Sequence, residues 1–345
     1  MHPIAIVGHA CVLPGALDPD ALWQLALQNR SALGPAPAGR WGIARARMLG
    51  EPGSDLADRA VSDIGGYVHG FERVFDPDGF AIPMQALHGL DPLFLWLLHV
   101  GRQALSSVRA LDDRRRIGAV VGNLSYPSSS LSRYAERTWL GDDLAERLGI
   151  DAVDPRNRSM SGLPAHLLAR ALGLGEGAFA LDAACASSLY AIKVACDALA
   201  EGRADVMLAG AVNRADDLFI HAGFTALGAL SPTGQSRPFH KAADGLVPAE
   251  GAAMVALRRL EDAEDAGDEI LGVIRGVGVS NDGRARGFLV PSEEGQGRAL
   301  RAAYAQAGLS PADIQLVECH ATGTTVGDAR TYVARVEQPG GLFRD

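Results

Sequence analysis

Hydrophobic residues in this chain gather into short solid runs, and the runs alternate with stretches of helical period. Residues 4–8 form the first run and read as a buried strand. Asp18-Pro19 then offers a cap residue and a first-turn proline, which predicts a helix through Gln28. Residues 31–63 are rich in Gly, Pro, Ala and Arg with weak periodicity, and read as a long surface excursion. A buried helix is predicted over 90–107 and a strand over 116–123. Helices follow over 131–148 and 161–172, a strand over 179–182 and a helix over 186–201. Further buried strands are predicted at 205–213 and 252–257. Strands alternating with helices predict an α/β fold with a largely parallel central sheet. After a charged helix at 260–267 the pattern restarts, with a strand over 270–280, a helix over 294–307 and a strand over 314–318. Residues 329–345 show no convincing period and read as a short tail. No low-complexity tract or clean linker separates the two parts.

Composition narrows the function classes. The chain has 345 residues, 48% hydrophobic and 21% charged, enough for one large or two medium domains. A net charge of −9 implies no broad basic surface for nucleic acid, and residues 114–116 read as a short solvated run. The four cysteines, at 11, 185, 196 and 319, lack metal-ligand spacing and are too few for a disulfide scaffold. Reduced, intracellular cysteines are expected. The N-terminus lacks the basic start and long apolar region of a signal peptide. No apolar run reaches membrane-spanning length, because Asp91, Pro92 and His99 interrupt the greasiest stretch. A cytoplasmic location with no membrane insertion is expected.

Two residues stand out as candidate chemistry. Cys185 follows the strand ending in Asp182-Ala-Ala and precedes a helix of small residues. A thiol at a helix N-terminus sits near unpaired N–H groups and the positive end of the macrodipole, which favour thiolate. Such a thiolate is suited to attack a thioester. A cysteine among alanines is equally read as a small buried hydrophobe, and Cys11, Cys196 and Cys319 are read that way. His320 falls at the end of the predicted strand 314–318, ahead of a hydroxyl-rich loop, Ala321-Thr-Gly-Thr-Thr-Val-Gly327. Ligands of parallel α/β sheets gather at that end of the strands. A neutral imidazole there can donate Nε2–H to a substrate carbonyl. Taken alone, a histidine satisfied by local backbone is the commoner case.

Several segments resemble β-ketoacyl synthases, the thiolase-fold condensing enzymes of fatty-acid and polyketide assembly. Pro3-Ile-Ala-Ile-Val-Gly8 looks like the opening strand, and Asp182-Ala-Ala-Cys-Ala-Ser-Ser188 like the nucleophile motif. The stretch Gly223-Phe-Thr-Ala-Leu-Gly-Ala-Leu-Ser-Pro-Thr-Gly-Gln-Ser-Arg-Pro-Phe239, with Ala243-Asp-Gly245 and Glu250-Gly251, looks like the loop region behind it. Glu318-Cys-His-Ala-Thr-Gly-Thr324 and Gly327-Asp328 look like the first histidine motif. The neighbourhood of Ser161-Gly-Leu-Pro-Ala-His166 looks closest to synthases embedded in large iterative polyketide or polyunsaturated-fatty-acid systems.

The resemblance implies an α/β, thiolase-like fold layered α-β-α-β-α. The first half would be complete in 1–258 and carry the nucleophile. The second half would be only begun in 259–328, with 329–345 a non-family tail. It further implies decarboxylative Claisen condensation on an acyl carrier protein, with Cys185 and His320 as catalytic residues. Cys185 would take an acyl chain, and His320 would polarise the malonyl extender's thioester carbonyl. No metal or organic cofactor is implied, since the phosphopantetheine arm belongs to the carrier protein partner. A homodimer through the sheet near the nucleophile strand is also implied.

The family pattern includes a second histidine in an Asn-x-Gly-His motif, and a lysine. After His320 this sequence has neither, its cations there being Arg330, Arg335 and Arg344. The polypeptide alone is therefore expected to lack useful malonyl condensation and to expose unpaired strand edges and apolar faces. Two other classes remain. One is a non-catalytic partner subunit like a chain-length factor, which the presence of Cys185 argues against. The other is a thiolase-like enzyme acting on coenzyme A esters, which the region 223–251 fits less well.

Overall fold

The computed structural model describes residues 2–51, 53, 58–111, 113–124, 126–214, 217–284 and 290–336. Its strands are β1 (Ile4–Val12), β2 (Leu33–Pro35), β3 (Ile64–Gly66), β4 (Ile117–Asn123), β5 (Gly177–Leu181), β6 (Val206–Asn213), β7 (Gly251–Arg259) and β8 (Gly272–Ile274). Six of them form one sheet in the order β5-β4-β6-β7-β1-β8, and β2 pairs with β3 inside the surface excursion.

The sheet is mixed rather than largely parallel. β4 runs parallel to β5 and β6, but β7 is antiparallel to both β6 and β1, and β8 is antiparallel to β1. Periodicity identifies a strand by its burial and carries no record of its direction. The parallel group β5-β4-β6 holds the centre of the argument for function, because the chain leaves these strands at one common edge.

Helices cover both faces. Pro92–Ser106 and Leu163–Leu172 pack on one face, where Phe94, Leu97, Leu98 and Leu168 are buried with Val7, Val121 and Leu208. The first of these helices starts where Asp91 Oδ1 accepts the N–H of Leu93 at 3.1 Å, with Pro92 in the first turn, as cap chemistry dictates. Ser187–Ala200 packs on the other face through Ala191, Ala195, Cys196 and Leu199. Every residue of β4 is buried between the two layers. Asp268 ties the end of β7 to the segment that follows the helix Pro92–Ser106. Its fully buried carboxylate pairs with Arg258 at 2.9 Å and accepts the N–H of Arg109 at 2.6 Å.

Most predicted elements are found within a residue or two; the first strand runs on to Val12 rather than ending at residue 8, and four other expectations are not met. The stretch expected as one helix over 131–148 is two, Ser129–Leu140 and Asp142–Arg147, broken at Gly141 with φ +78°. Of the strand expected over 270–280, only β8 is paired. Residues 314–318 form no strand, and Leu316 is 86% exposed. A strand needs a neighbour for its N–H and C=O groups, and among the described residues this segment pairs with none. The expected tail from residue 329 begins instead inside a helix, Thr325–Val336, whose composition of Ala, Arg and Val permits helix after the loop ends at Thr324. Residues 337–345 lie outside the described part. A helix at Asp217–Ala226 was also not anticipated, because its glycine and threonine content reads as loop.

The helix Ser187–Ala200 covers only part of its face of the sheet. Beside it runs an apolar groove of about 900 Å³. Small residues of β6 and β7, among them Ala209, Ala211 and Ala253, line it, with Leu22, Leu25 and Ile192.

Candidate active site

Cys185 stands at the turn between β5 and the helix Ser187–Ala200, and it is exposed. The turn is tight. Ala184 adopts φ +49°, a left-handed conformation that costs an L-residue roughly 1–2 kcal/mol. Three side-chain hydrogen bonds hold it. Asp182 Oδ1 accepts the N–H of Ala184 at 3.0 Å. Ser187 Oγ accepts the N–H of Ala183 at 2.9 Å and donates to the Ala184 carbonyl at 2.6 Å. Ser187 also donates its own N–H to that carbonyl at 3.1 Å. The helix start presses close on β4. A Cβ on Gly122 would lie 2.9 Å from the backbone carbon and Cβ of Ser187, so glycine is required there.

The thiol therefore projects from a strained, over-determined turn one residue before the helix cap Ala186. The positive end of the helix macrodipole lies there. Cys185 also borders the apolar groove, with Ser187 and Ser188. The other cysteines differ. Burial pushes the thiols of Cys11 and Cys196 up to about 11, with Asp18 adding to the effect at Cys11 and Asp197 at Cys196. Cys319 is intermediate in exposure.

His320 is exposed, on the irregular segment that follows the helix Glu293–Ala307. Its neighbour Ala321 has φ +22°. The loop that follows docks onto residues 237–245. Gly245 donates its N–H to the Gly323 carbonyl at 3.0 Å. The carboxylate of Asp328 accepts the N–H of Gly323 at 3.2 Å and that of Phe239 at 2.8 Å. His320 does not line the groove that Cys185 borders, so that cavity does not unite the two residues. Among the described residues, no cluster of His, Cys, Asp or Glu could hold a metal ion. No helix there is long and apolar enough to cross a membrane.

Comparison with known proteins decides the family. Residues 1–263 match the β-ketoacyl synthase N-terminal domain, and residues 271–334 match the C-terminal domain of the same enzymes. The chain belongs to the β-ketoacyl synthase family. It is 35% identical over 336 residues to a mycocerosic acid synthase-like polyketide synthase of Mycolicibacterium smegmatis, covering 97% of this chain and 15% of that protein. It is 33% identical over 333 residues to the pikromycin polyketide synthase component PikAIII of Streptomyces venezuelae, covering 95% of this chain and 20% of that one. Among solved structures, the PfaC keto synthase–chain length factor superposes with a TM-score of 0.89 at 35% identity, covering 97% of this chain and 37% of that chain. The oxazolomycin ketosynthase domain OzmH KS7 of Streptomyces albus gives 0.81 at 30% identity, with 97% and 55% covered. The thiolase-like fold and the polyketide-type ketosynthase relationship expected from the motifs are thereby established.

Ser187, Asp182 and Asp328 hold the turns that carry the two residues singled out in the sequence. All three lie inside the quoted motifs, but their roles depend on which backbone groups they meet.

Proposed function

We propose that this chain carries the acyl-accepting half of a polyketide-type condensation. Cys185 thiolate attacks the carbonyl of an acyl thioester on an acyl carrier protein. The tetrahedral oxyanion adduct so formed collapses with expulsion of the carrier thiolate, leaving the acyl group as a thioester on Cys185. In the complete condensation, which this chain alone is expected not to support at a useful rate, a malonyl extender then loses CO2, and the resulting enolate attacks the acyl-enzyme and expels the Cys185 thiolate. His320 Nε2–H donates to the extender's carbonyl oxygen as negative charge develops there, the kind of stabilisation whose loss costs about 10²–10³ in rate.

The observation that carries this reading is the Cys185 turn. An exposed thiol sits on a strained strand-to-helix junction fixed by Asp182 and Ser187, while Cys11 and Cys196 are buried. A structural cysteine has no need of such a setting. Incubation with acyl carrier protein thioesters, read by intact mass and peptide mapping, tests it. Acylation confined to Cys185 and absent in Cys185→Ala is expected. Acylation elsewhere, or none from any thioester, refutes it. Acylation from coenzyme A esters but not from carrier protein would move the chain to the thiolase-like class.

A partner role receives one specific support, since the PfaC chain it superposes on includes a chain length factor. The exposed Cys185 still favours the nucleophile reading. A second copy of the chain is the proposed dimer partner. β5 is the outermost strand of the sheet, its outer edge is unpaired among the described residues, and Phe179 on it is 50% exposed.

A further inference from the structure

His320 lies on a segment that no strand pairing holds, yet the loop after it is fixed at one point. Asp328, 5% exposed, sits in the first turn of the helix Thr325–Val336. Its two carboxylate oxygens go in two directions. Oδ1 takes the N–H of Gly323, three residues after His320, and Oδ2 takes the N–H of Phe239, on a separate loop 89 residues away. These two N–H groups compensate the burial of the charge, which would otherwise be costly.

Both loops need holding. Phe239 has φ +57° and Ala321 has φ +22°, conformations that non-glycine residues keep only when their surroundings impose them. Gly323, at φ +85°, approaches so closely that a Cβ there would lie 2.9 Å from the Gly245 carbonyl oxygen. The receiving loop is itself stiff. Asp244 accepts hydrogen bonds from the hydroxyls of Ser231 and Thr233, each at 2.7 Å.

We propose that Asp328 is the positioning residue for His320. It clamps the His320 loop to the 237–245 loop through Gly323 and Phe239 and so fixes the direction in which the imidazole is presented. Asp328 itself touches no substrate. The inference rests on the reading of His320 as the group that polarises the extender carbonyl, but its geometry can be tested without turnover.

The experiment uses the full chain, its Asp328→Asn and Asp328→Ala variants, and His320→Gln to assign the His320 imidazole signal in a 15N-histidine spectrum. Amide hydrogen exchange is followed at Gly323 and Phe239. In Asp328→Ala both amides are expected to exchange at least tenfold faster, and the His320 signal to shift or broaden. Asp328→Asn retains one acceptor oxygen, so one of the two amides should stay protected. That variant is close to isosteric and carries the test alone if Asp328→Ala does not fold. Wild-type exchange at both amides in the variants overturns the clamp. Faster exchange with an unmoved His320 signal overturns the positioning role and leaves a purely structural one. Failure of Cys185 to accept any acyl group would refute the functional reading while leaving both of these readouts intact.

Discussion

Replacing Ser187 with alanine tests how the Cys185 turn is held. Ser187 is 5% exposed, and its hydroxyl makes two hydrogen bonds, accepting from Ala183 N–H and donating to the Ala184 carbonyl. The carbonyl keeps a partner after the change, because the Ser187 N–H still reaches it at 3.1 Å. The Ala183 N–H does not. An unsatisfied donor in a part-buried site costs about 1–3 kcal/mol. Relief of the left-handed strain at Ala184, roughly 1–2 kcal/mol, returns some of that only if the turn relaxes, and a relaxed turn moves the thiol off the helix end. The expected outcome is a loss of about 1–2 kcal/mol in urea unfolding, with an unchanged denaturant slope. Slower alkylation of Cys185 by iodoacetamide at neutral pH should accompany it, because the thiol is displaced from the helix end. Ser188→Ala, one residue on, is the control and should fall within about 0.5 kcal/mol of the parent. Equal stability and equal alkylation rates for Ser187→Ala and the parent would refute the view that this hydroxyl fixes the nucleophile.

Three further outcomes are expected. Gly122→Ala places a methyl against the start of the Cys185 helix and should destabilise by about 1–3 kcal/mol; a thermal melt indistinguishable from the parent would contradict the close approach. Asp268→Ala strands Arg258 in a buried site and should cost about 3–5 kcal/mol, read by denaturant midpoint, with a surface-like loss below 1 kcal/mol counting against it. Cys11 and Cys196 have folded thiols raised from 9.0 to about 11, so their contribution to stability is full below pH 9 and is lost as pH rises toward 11. Stability measured across that range should fall, and fall less steeply in Cys196→Ala; equal slopes would show that the buried thiol is not linked to folding.

The first half of the fold was legible because its strands are solid apolar runs that end up buried on both faces, β4 most of all. The helix at Pro92–Ser106 was legible as an apolar stretch, while Asp91 and Pro92, read in the sequence only as interruptions of that stretch, cap its start. The strand-to-helix junction at Cys185 was legible, but its small neighbours left the thiol open between an exposed and a buried reading, and only the fold exposes it. Residues 314–318 carry a strand-like pattern too, but the pattern describes a preference, and the pairing that would satisfy it depends on a neighbour the local sequence does not encode. The direction of β7 was hidden for a similar reason. The clamp at Asp328 joins groups far apart in sequence, and nothing local to Gly327-Asp328 points to Phe239. The basic run at 114–116 is partly engaged in the fold: Arg115 pairs with Asp113 at 2.9 Å and Arg116 with Asp205 at 2.6 Å.

The groove beside the Cys185 helix has a thermodynamic consequence. Its apolar lining, like Leu316, is already wet in the folded chain. Water that touches apolar surface before unfolding contributes nothing to the heat-capacity change when the chain opens. The groove lining is a small part of the surface a 345-residue chain exposes on unfolding, so the change stays near the roughly 12–15 cal/mol/K per residue of closed globular domains and is lowered only by the lining's own share. Whatever later covers the groove would restore that share.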